Sequence, residues 1–526
     1  MRADALTAER IGLDWLRAAV APVSESGRTA EDGAMLFGPA DGAAARSSCA
    51  DVLRLSERLR PDGVAHLRAA LRRAPEPRDI LERARMGDAL SDVDLFALGQ
   101  FTDVLAAIER AWRDAGGTAA ALPQVPAVAE LLAPGRRDGA FYLDDAFAAE
   151  LAAARSAFAA ADAASRAERE RLAAALAPAL GFVPDGDEFI VMRDAVAGVP
   201  AGAHVVRETP SYRLLTVALD DSAQALDAVR AAALAALAQC ESAVRLRLSE
   251  EAARLAGDVN AAARDLGALD RTLARVAFTQ RWGGCMPQIA DDRFAFSEAT
   301  FAPLCEALER EGLPYTPISL ELHGAAVITG PNMGGKTAAL ATCGFVAACV
   351  ALGIPPPARI AAVPLLARAA WIGGERDVAQ SRLLSAFAEE VVRARDVLGD
   401  VQRPALVLID EFARTTGPRE GCALLSALVE AFGEHNAFAL VATHFDGIAA
   451  RARVAHLTVA GLHGRALSAQ GDVHAALDAL GRAMDYRIIA VDPGARSESG
   501  TLALARVLGL DAAVVERAHI LLREEC

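Results

Sequence analysis

Lysine is all but missing from this chain of 526 residues: among 54 basic side chains the only lysine is Lys336, and every other one is arginine. A composition that uses arginine everywhere else but lysine here calls for a slim point charge, which a planar guanidinium fork does not supply. Aromatic residues are scarce too, at 5%. Much of the 53% apolar content is alanine, the best helix former, so a helix-rich protein is expected. Cys-x-x-Cys pairs are absent. The eight cysteines stand apart, at 49, 240, 285, 305, 343, 349, 422 and 526, which signals neither a zinc site nor a disulfide framework and suits a reducing cytoplasm. Positive charge is not in excess either, the formal net charge being −15. Such a chain repels a phosphate backbone on average, so nucleic-acid binding needs a local basic face. The opening Met-Arg-Ala-Asp lacks the apolar region of a secretory signal. One stretch, Thr337 to Ala358, carries no charge and is long enough to span a bilayer. It contains Gly344, Gly353 and the Pro355–Pro357 run, and reads instead as a buried helix ending near Gly353. No membrane association is expected, and a cytoplasmic location is.

The length implies two to four domains. Residues 1–140 read as short helices broken at Gly38–Pro39, Pro61–Gly63, Pro75–Pro77 and Gly116–Gly117, with no strand alternation. From Asp144 the chain turns Ala/Arg/Glu-rich to about Leu180. A second, longer helical stretch runs from about Ser222 to Ala277. Its apolar residues Leu237, Cys240, Val244, Leu248, Leu255, Val259, Leu266, Leu269, Leu273 and Val276 recur at steps of three, four or seven, the seam of a helix packed on another. As one helix it would span roughly 75–80 Å, a lever. Between the two stretches, residues 181–217 carry Phe189-Ile190-Val191-Met192 and Leu214-Leu215-Thr216-Val217 and read as a small β tip. After Gly283–Gly284, apolar runs such as Ala325–Thr329, Ala405–Ile409 and Phe438–Ala442 alternate with helical stretches. That is the pattern of a parallel sheet covered on both faces. Three segments result: a helical core over 1–140, lever helices with the tip over 141–280, and a third domain over 281–526.

The chemistry lies in the third segment. Gly330-Pro331-Asn332-Met333-Gly334-Gly335-Lys336-Thr337 fits G-x-x-x-x-G-K-[ST], with an apolar strand before it and a helix after it. The glycines let backbone N–H groups curl around phosphate oxygens at a helix N-terminus. Lys336 then reaches the β- and γ-phosphates, and Thr337 offers its hydroxyl to Mg²⁺. ATP and Mg²⁺ are therefore the expected ligands. About 70 residues on, Leu406-Val-Leu-Ile409-Asp410-Glu411 reads as a Walker B strand buried beside the P-loop strand. Asp410 would hold Mg²⁺, and Glu411 would polarise the attacking water. Four apolar residues before an acidic pair also describe a plain strand end; the upstream P-loop decides between the two. A third strand, Phe438–Ala442, ends in Thr443-His444, where a histidine could sense the γ-phosphate and orient water. Lone histidines are more often structural, and only the position in this array favours the functional reading.

The runs TGPNMGGKT, DEFARTTGPREG and ATHF together resemble the ATPase domain of the MutS family, the DNA mismatch-repair ATPases of ABC type. The pair Asn332-Met333 inside the loop is particularly specific to it. Ser497-Glu-Ser-Gly500, Ala503 and Gly509-Leu510 resemble the family's C-terminal helical segment, and the segment from Val199-Pro200 to Arg213 and Thr216 resembles the returning edge of its clamp. The resemblance implies an α plus α/β multidomain fold: a helical core with two long lever helices and a small β tip, then a C-terminal P-loop ATPase domain of ABC type. It also implies a dimer through the ATPase domain, in which a signature loop reaches the partner's ATP. The matching stretch runs from Gly373 through Leu383-Leu-Ser385-Ala386-Phe387 to Glu390. Ser385 fits a contact to the γ-phosphate in trans, but Leu383 stands where a glycine is expected and Ala386 where a threonine is. A helix N-cap is the plain alternative for Ser385.

Other departures bear on function. The core-like helices start almost at Met1, so the domain that reads mismatches is not expected in this chain. Residues 181–217 carry five acids (Asp185, Asp187, Glu188, Asp194, Glu208) against three arginines (Arg193, Arg207, Arg213), a poor phosphate binder. Three functions stay open: an ATPase whose arms move on DNA without reading mismatches, an ATPase whose arms hold a protein, and a nearly inert binding module. Divergent relatives of this layout are linked to reactivation of cobalamin-dependent aminomutases, which illustrates the second. The intact P-loop, the acidic pair and His444 argue against the third.

Overall fold

The computed structural model describes residues 1–32, 36–118, 122–331, 335–374, 386–400, 404–435, 437–462, 484–495, 502, 505 and 510–524. Packing divides the chain into two units. One comprises Met1–Arg72, Arg110–Ala121 and Leu266–Cys526; the other Arg73–Glu109 and Leu122–Asp265. These are not three consecutive segments with boundaries at 140 and 280.

The second unit is built on helices α1 (Ala149–Ala175) and α2 (Asp221–Arg254). They run antiparallel: Arg155 pairs with Glu241 (3.4 Å), Asp162 with Arg230 (3.5 Å) and Ser165 with Asp227 (2.6 Å). Asp220 caps α2, its carboxylate accepting the Ala223 N–H at 2.9 Å. At 34 residues, α2 is about 50 Å long. The single lever helix expected over 222–277 is in fact two. Helix α2 stops at Arg254 and α3 (Ala256–Trp282) follows at once. At the junction the Leu255 N–H is shared between Glu251 O and Ala252 O, each at 3.2 Å, and Gly257 lowers helix propensity just beyond it.

Between α1 and α2 lies the expected β tip, an antiparallel sheet of β1 (Glu188–Met192), β2 (Ala203–Glu208) and β3 (Tyr212–Val217) in the order β1-β3-β2. Its inner face, with Phe189, Val191, Ala203, Leu215 and Val217, buries itself on Ala173, Leu176 and Leu180. Period-two alternation produces this: every second residue of β1 is buried and its neighbours are exposed.

The first unit holds a six-stranded sheet. Its strands are β4 (Ala325–Thr329), β5 (Arg368–Gly373), β6 (Ala405–Asp410), β7 (Phe438–Ala442), β8 (Ala455–Leu462) and β9 (Met484–Val491), in the order β5-β6-β7-β4-β8-β9. Adjacent strands are parallel except for the antiparallel β8–β9 pair. The apolar runs are apolar throughout because both faces are covered. Ile328, Leu406, Leu408 and Leu440 face helix α4 (Lys336–Ala351). Val327, Val407, Ile409 and Val441 face α5 (Ala386–Gly399) and α6 (Pro418–Glu434). The uncharged stretch after the P-loop is thus a core helix, buried continuously from Ala339 to Ala351. Among the described residues no helix is long and apolar enough to cross a membrane.

The N-terminal helices belong to this unit rather than to a separate core. Ile11, Leu13 and Leu16 share a cluster with Phe345 and Leu408. Gly344 of α4 makes room: a Cβ there would clash with Ile11 Cγ2. Arg2 also bonds backbone-to-backbone with both Ala367 and Ala369, a strand-like contact in a segment read as wholly helical.

Candidate functional site

Strand β4 delivers the chain to Gly330, whose φ of +138° only glycine adopts without strain. A Cβ there would also press on Val459 of β8 at 3.2 Å. Gly335, at φ +83°, is the N-cap of α4. Lys336 opens that helix, 5% exposed, and its ammonium donates to Gly330 O at 2.8 Å and Pro331 O at 3.0 Å. Burial lowers the Lys336 pKa, opposed by the charges of Glu411 and Asp410. Pro331 is therefore in the loop as expected. Asn332, Met333 and Gly334 lie outside the described residues.

Thr337, one residue on, places its hydroxyl 3.1 Å from both carboxylate oxygens of Asp410. Asp410 ends β6 and is 6% exposed. Burial raises its pKa, against the Thr337 hydrogen bond that favours the anion. These two residues meet although their strands are not neighbours. The expectation that β6 lies beside β4 is corrected: β7 is inserted between them. Apolarity says that a strand is central, not which strand flanks it.

After Asp410 the backbone turns sharply. Glu411 has φ +52°, a left-handed conformation uncommon for a residue with a side chain, held by its N–H donating to Ala442 O at 2.9 Å. The turn separates the acidic pair. Asp410 points into the site, while the Glu411 carboxylate is a quarter exposed and pairs with Arg414 at 3.1 Å. Glu390 of α5 supports the turn by accepting the Ala413 N–H at 2.8 Å. Burial raises the Glu390 pKa.

His444 follows β7 as expected and is exposed, its ring resting on Phe445 with centroids 4.6 Å apart. No described contact joins it to Lys336, Thr337 or the acidic pair. Ser385 lies outside the described residues, as do Leu383, Ser497, Gly500, Ala503 and Gly509.

The sequence reading overlooked the antiparallel β8–β9 pair, which braces the P-loop. His456 of β8 is 4% exposed. Its Nε2 lies 2.9 Å from the Thr329 hydroxyl and its Nδ1 3.0 Å from Asp492 O. A carbonyl only accepts, so Nδ1 carries the proton and, in the neutral ring, Nε2 accepts from Thr329. Tyr486 of β9 lies against Gly335, where a Cβ would come within 3.2 Å of its ring. The alternation in Val454-Ala-His456-Leu-Thr458-Val was the available strand signal.

The residues present fit a nucleotide phosphate chain and a divalent cation. The loop lets backbone approach closely at Gly330 and Gly335, a lone buried ammonium stands beside it, and a hydroxyl and a carboxylate converge as oxygen donors suited to Mg²⁺. A buried carboxylate is costly unless charge or donors meet it.

Comparison with known proteins agrees with this geometry. Residues 326–524 match MutS domain V, an ABC-type ATPase domain. The DNA mismatch repair protein MutS of Cereibacter sphaeroides is 32% identical over 282 residues, covering 51% of this chain and 30% of that protein. Endonuclease MutS2 of Thermus thermophilus is 30% identical over 350 residues, covering 64% of this chain and 43% of that protein. Endonuclease MutS2 of Pelotomaculum thermopropionicum is 29% identical over 287 residues, covering 53% and 33%. The chain spans less than half the length of each of these relatives.

Proposed function

Because the chain is a member of the MutS family carrying that family's ABC-type ATPase domain V, we propose that it binds and hydrolyses ATP and uses the cycle to move its arms on a macromolecule. The observation that carries this reading is the convergence of the Thr337 hydroxyl on both Asp410 oxygens at 3.1 Å, one residue from the buried lysine. In the proposed mechanism, N–H groups of the loop 330–335 bind the phosphate chain. Lys336 exchanges its two carbonyl partners for β- and γ-phosphate oxygens, and Thr337 and Asp410 hold Mg²⁺. When bound, Mg²⁺ supplies charge neutralisation across the phosphates. Glu411 leaves Arg414 to accept a proton from the attacking water, and His444 orients that water from the end of β7. Ser385 completes the γ-phosphate site from a second copy of the chain, so the working form is a homodimer joined through the ATPase domain, in the cytoplasm.

The lever helices and tip over 141–280 are the arms in this reading. The names of the relatives favour DNA: a mismatch-repair-type or DNA-structure-sensing ATPase. A protein partner is the second reading, as in reactivation of a cobalamin-dependent aminomutase, and the acidic tip favours it. The test is to trap ATP on a Glu411→Gln chain, follow mass by light scattering, and score bound duplex DNA against bound protein. A monomer at every concentration with ATP present rejects the composite site. Turnover equal to that of the unaltered chain rejects Glu411 as the base.

A further inference from the structure

The tip sheet packs its inner face on helix, while no described residue covers its outer face. Antiparallel register places Ile190 opposite Leu214 and Met192 opposite Tyr212, so these four side chains share the outer face. Across β3, Leu214 is opposite Arg207, next to Val206 at the register shift. Ile190, Met192 and Val206 are each at least half exposed. An isolated sheet face of this kind is ordinarily buried under a helix layer.

Charge narrows what can supply that layer. Two of the three tip arginines are spent internally: Arg213 pairs with Glu208 at 2.9 Å and bonds Gly198 O at 2.9 Å, and Arg193 pairs with the same Glu208 at 3.4 Å. Asp187 is paired with Arg169 at 2.6 Å. Strand β1, an open edge of the sheet, is bracketed by carboxylates with no cationic partner among the described residues: Asp185 and Glu188 at its start, Asp194 just past its end. Duplex DNA and anionic lipid meet repulsion there. So does a second copy of this chain, which carries the same tip and a net charge of −15.

We propose that the outer face of the tip docks an amphipathic helix of a protein partner, its apolar stripe on Ile190, Met192, Tyr212 and Leu214 and its flanking lysines or arginines along the carboxylates of β1. The mode is helix-on-apolar-surface recognition, with the charges setting orientation and association rate. It goes beyond the ATPase reading, because no residue of the nucleotide site takes part.

The probe is a fluorescein-labelled synthetic peptide of leucine and lysine that forms an amphipathic helix. Its leucine–glutamate twin and a plain duplex serve as comparators, each titrated with the full chain by fluorescence anisotropy at physiological salt. The lysine peptide is expected to bind saturably. Affinity is expected to fall at least about tenfold in Ile190→Ser/Met192→Ser, as for truncation of central contacts. Glu188→Gln/Asp194→Asn should weaken it several-fold, with the loss disappearing at high salt. Both exposed pairs leave the fold intact, checked by an unchanged melting profile, and Glu411→Gln should leave peptide binding unchanged whatever becomes of ATP turnover. The proposal is overturned by absence of saturable lysine-peptide binding, by equal binding of the glutamate twin, or by indifference to the serine pair. Duplex binding that the serine pair abolishes also overturns it, as does self-association in sedimentation that the serine pair removes.

Discussion

Two of the protein's sheets, the six-stranded sheet and the tip, stand in opposite relations to solvent. In the six-stranded sheet, all six residues of β6 are buried; in the tip, β2 buries one residue of six. Parallel strands under helices on both faces leave only their ends free for chemistry, and the ends of β4 and β6 are where the ammonium, hydroxyl and carboxylate converge. In the tip the free surface is the flat of the sheet, which offers area but no enclosed charge. Burial makes an interaction strong and its mispairing costly; exposure makes it exchangeable.

The contrast predicts that charge changes matter in proportion to burial. The largest effect is expected from Lys336→Ala, which removes the lone ammonium of the P-loop: ATP binding should vanish in calorimetry, and unchanged affinity would break the comparison at its strongest point. Next, Glu411→Gln should bind ATP normally yet turn it over roughly 10²–10⁴-fold more slowly in a steady-state assay, the usual worth of general-base help.

His456→Phe leaves the Thr329 hydroxyl buried without its acceptor. A loss of about 1–3 kcal/mol in denaturant stability is expected, with a higher KM for ATP and a smaller change in kcat. His456→Gln should partly restore both, whereas equal damage by the two variants would make the site a matter of packing alone. At the exposed end of the scale, replacing Arg193, Arg207 and Arg213 together by alanine should leave ATPase activity with added DNA unaltered. The whole chain should hold a duplex no tighter than the non-specific range of roughly 10⁻⁴–10⁻⁶ M. Nanomolar, mismatch-dependent binding would erase the distinction between the two sheets.

The smallest effect concerns pH. Burial raises the Glu390 pKa in the folded chain, so the anion is disfavoured there, and stability declines as pH rises through the unfolded and then the folded pKa. Glu390→Gln keeps an acceptor for the Ala413 N–H without the charge. Its melting temperature should exceed that of the unaltered chain at pH 7, and the gap should close as pH falls into the carboxylate range. A gap that widens on acidification reverses the sign and rejects the burial argument.

Legibility followed the range of the interactions. Gly330–Thr337 could be read because the P-loop is local: strand, glycines, lysine and helix start are contiguous, and Asp410 declares itself by ending an apolar run. The tip and the antiparallel helices could be read from periodicity. The insertion of β7 between β4 and β6 could not, because strand order is decided by non-local pairings, Ala325 with Ala439 and Leu406 with Phe438. The same holds for Ile11 packing into the notch at Gly344, which reassigns the N-terminal helices to the ATPase unit. The break at Leu255 escaped because the apolar seam continues across it, and His456 because a lone histidine in a strand carries no signal until Thr329 is beside it. Asn332, Ser385 and Ser497–Gly500 lie outside the described residues.

The solitary lysine also gives the protein a single chemical address. Amine-selective acylating reagents would find one ε-amine in the whole chain, at the P-loop, where burial lowers its pKa. The α-amino group is the other amine, shifted the same way by burial and bonded to Phe37 O at 3.2 Å; the two separate on peptide mapping. A mass increment on the Lys336 peptide then reports opening of an unprotected nucleotide site that otherwise buries this amine, with no radiolabel and no engineered tag. By the same token, any cellular chemistry that marks proteins on lysine has one residue to act on here, and acting on it would remove the charge that the P-loop is built around.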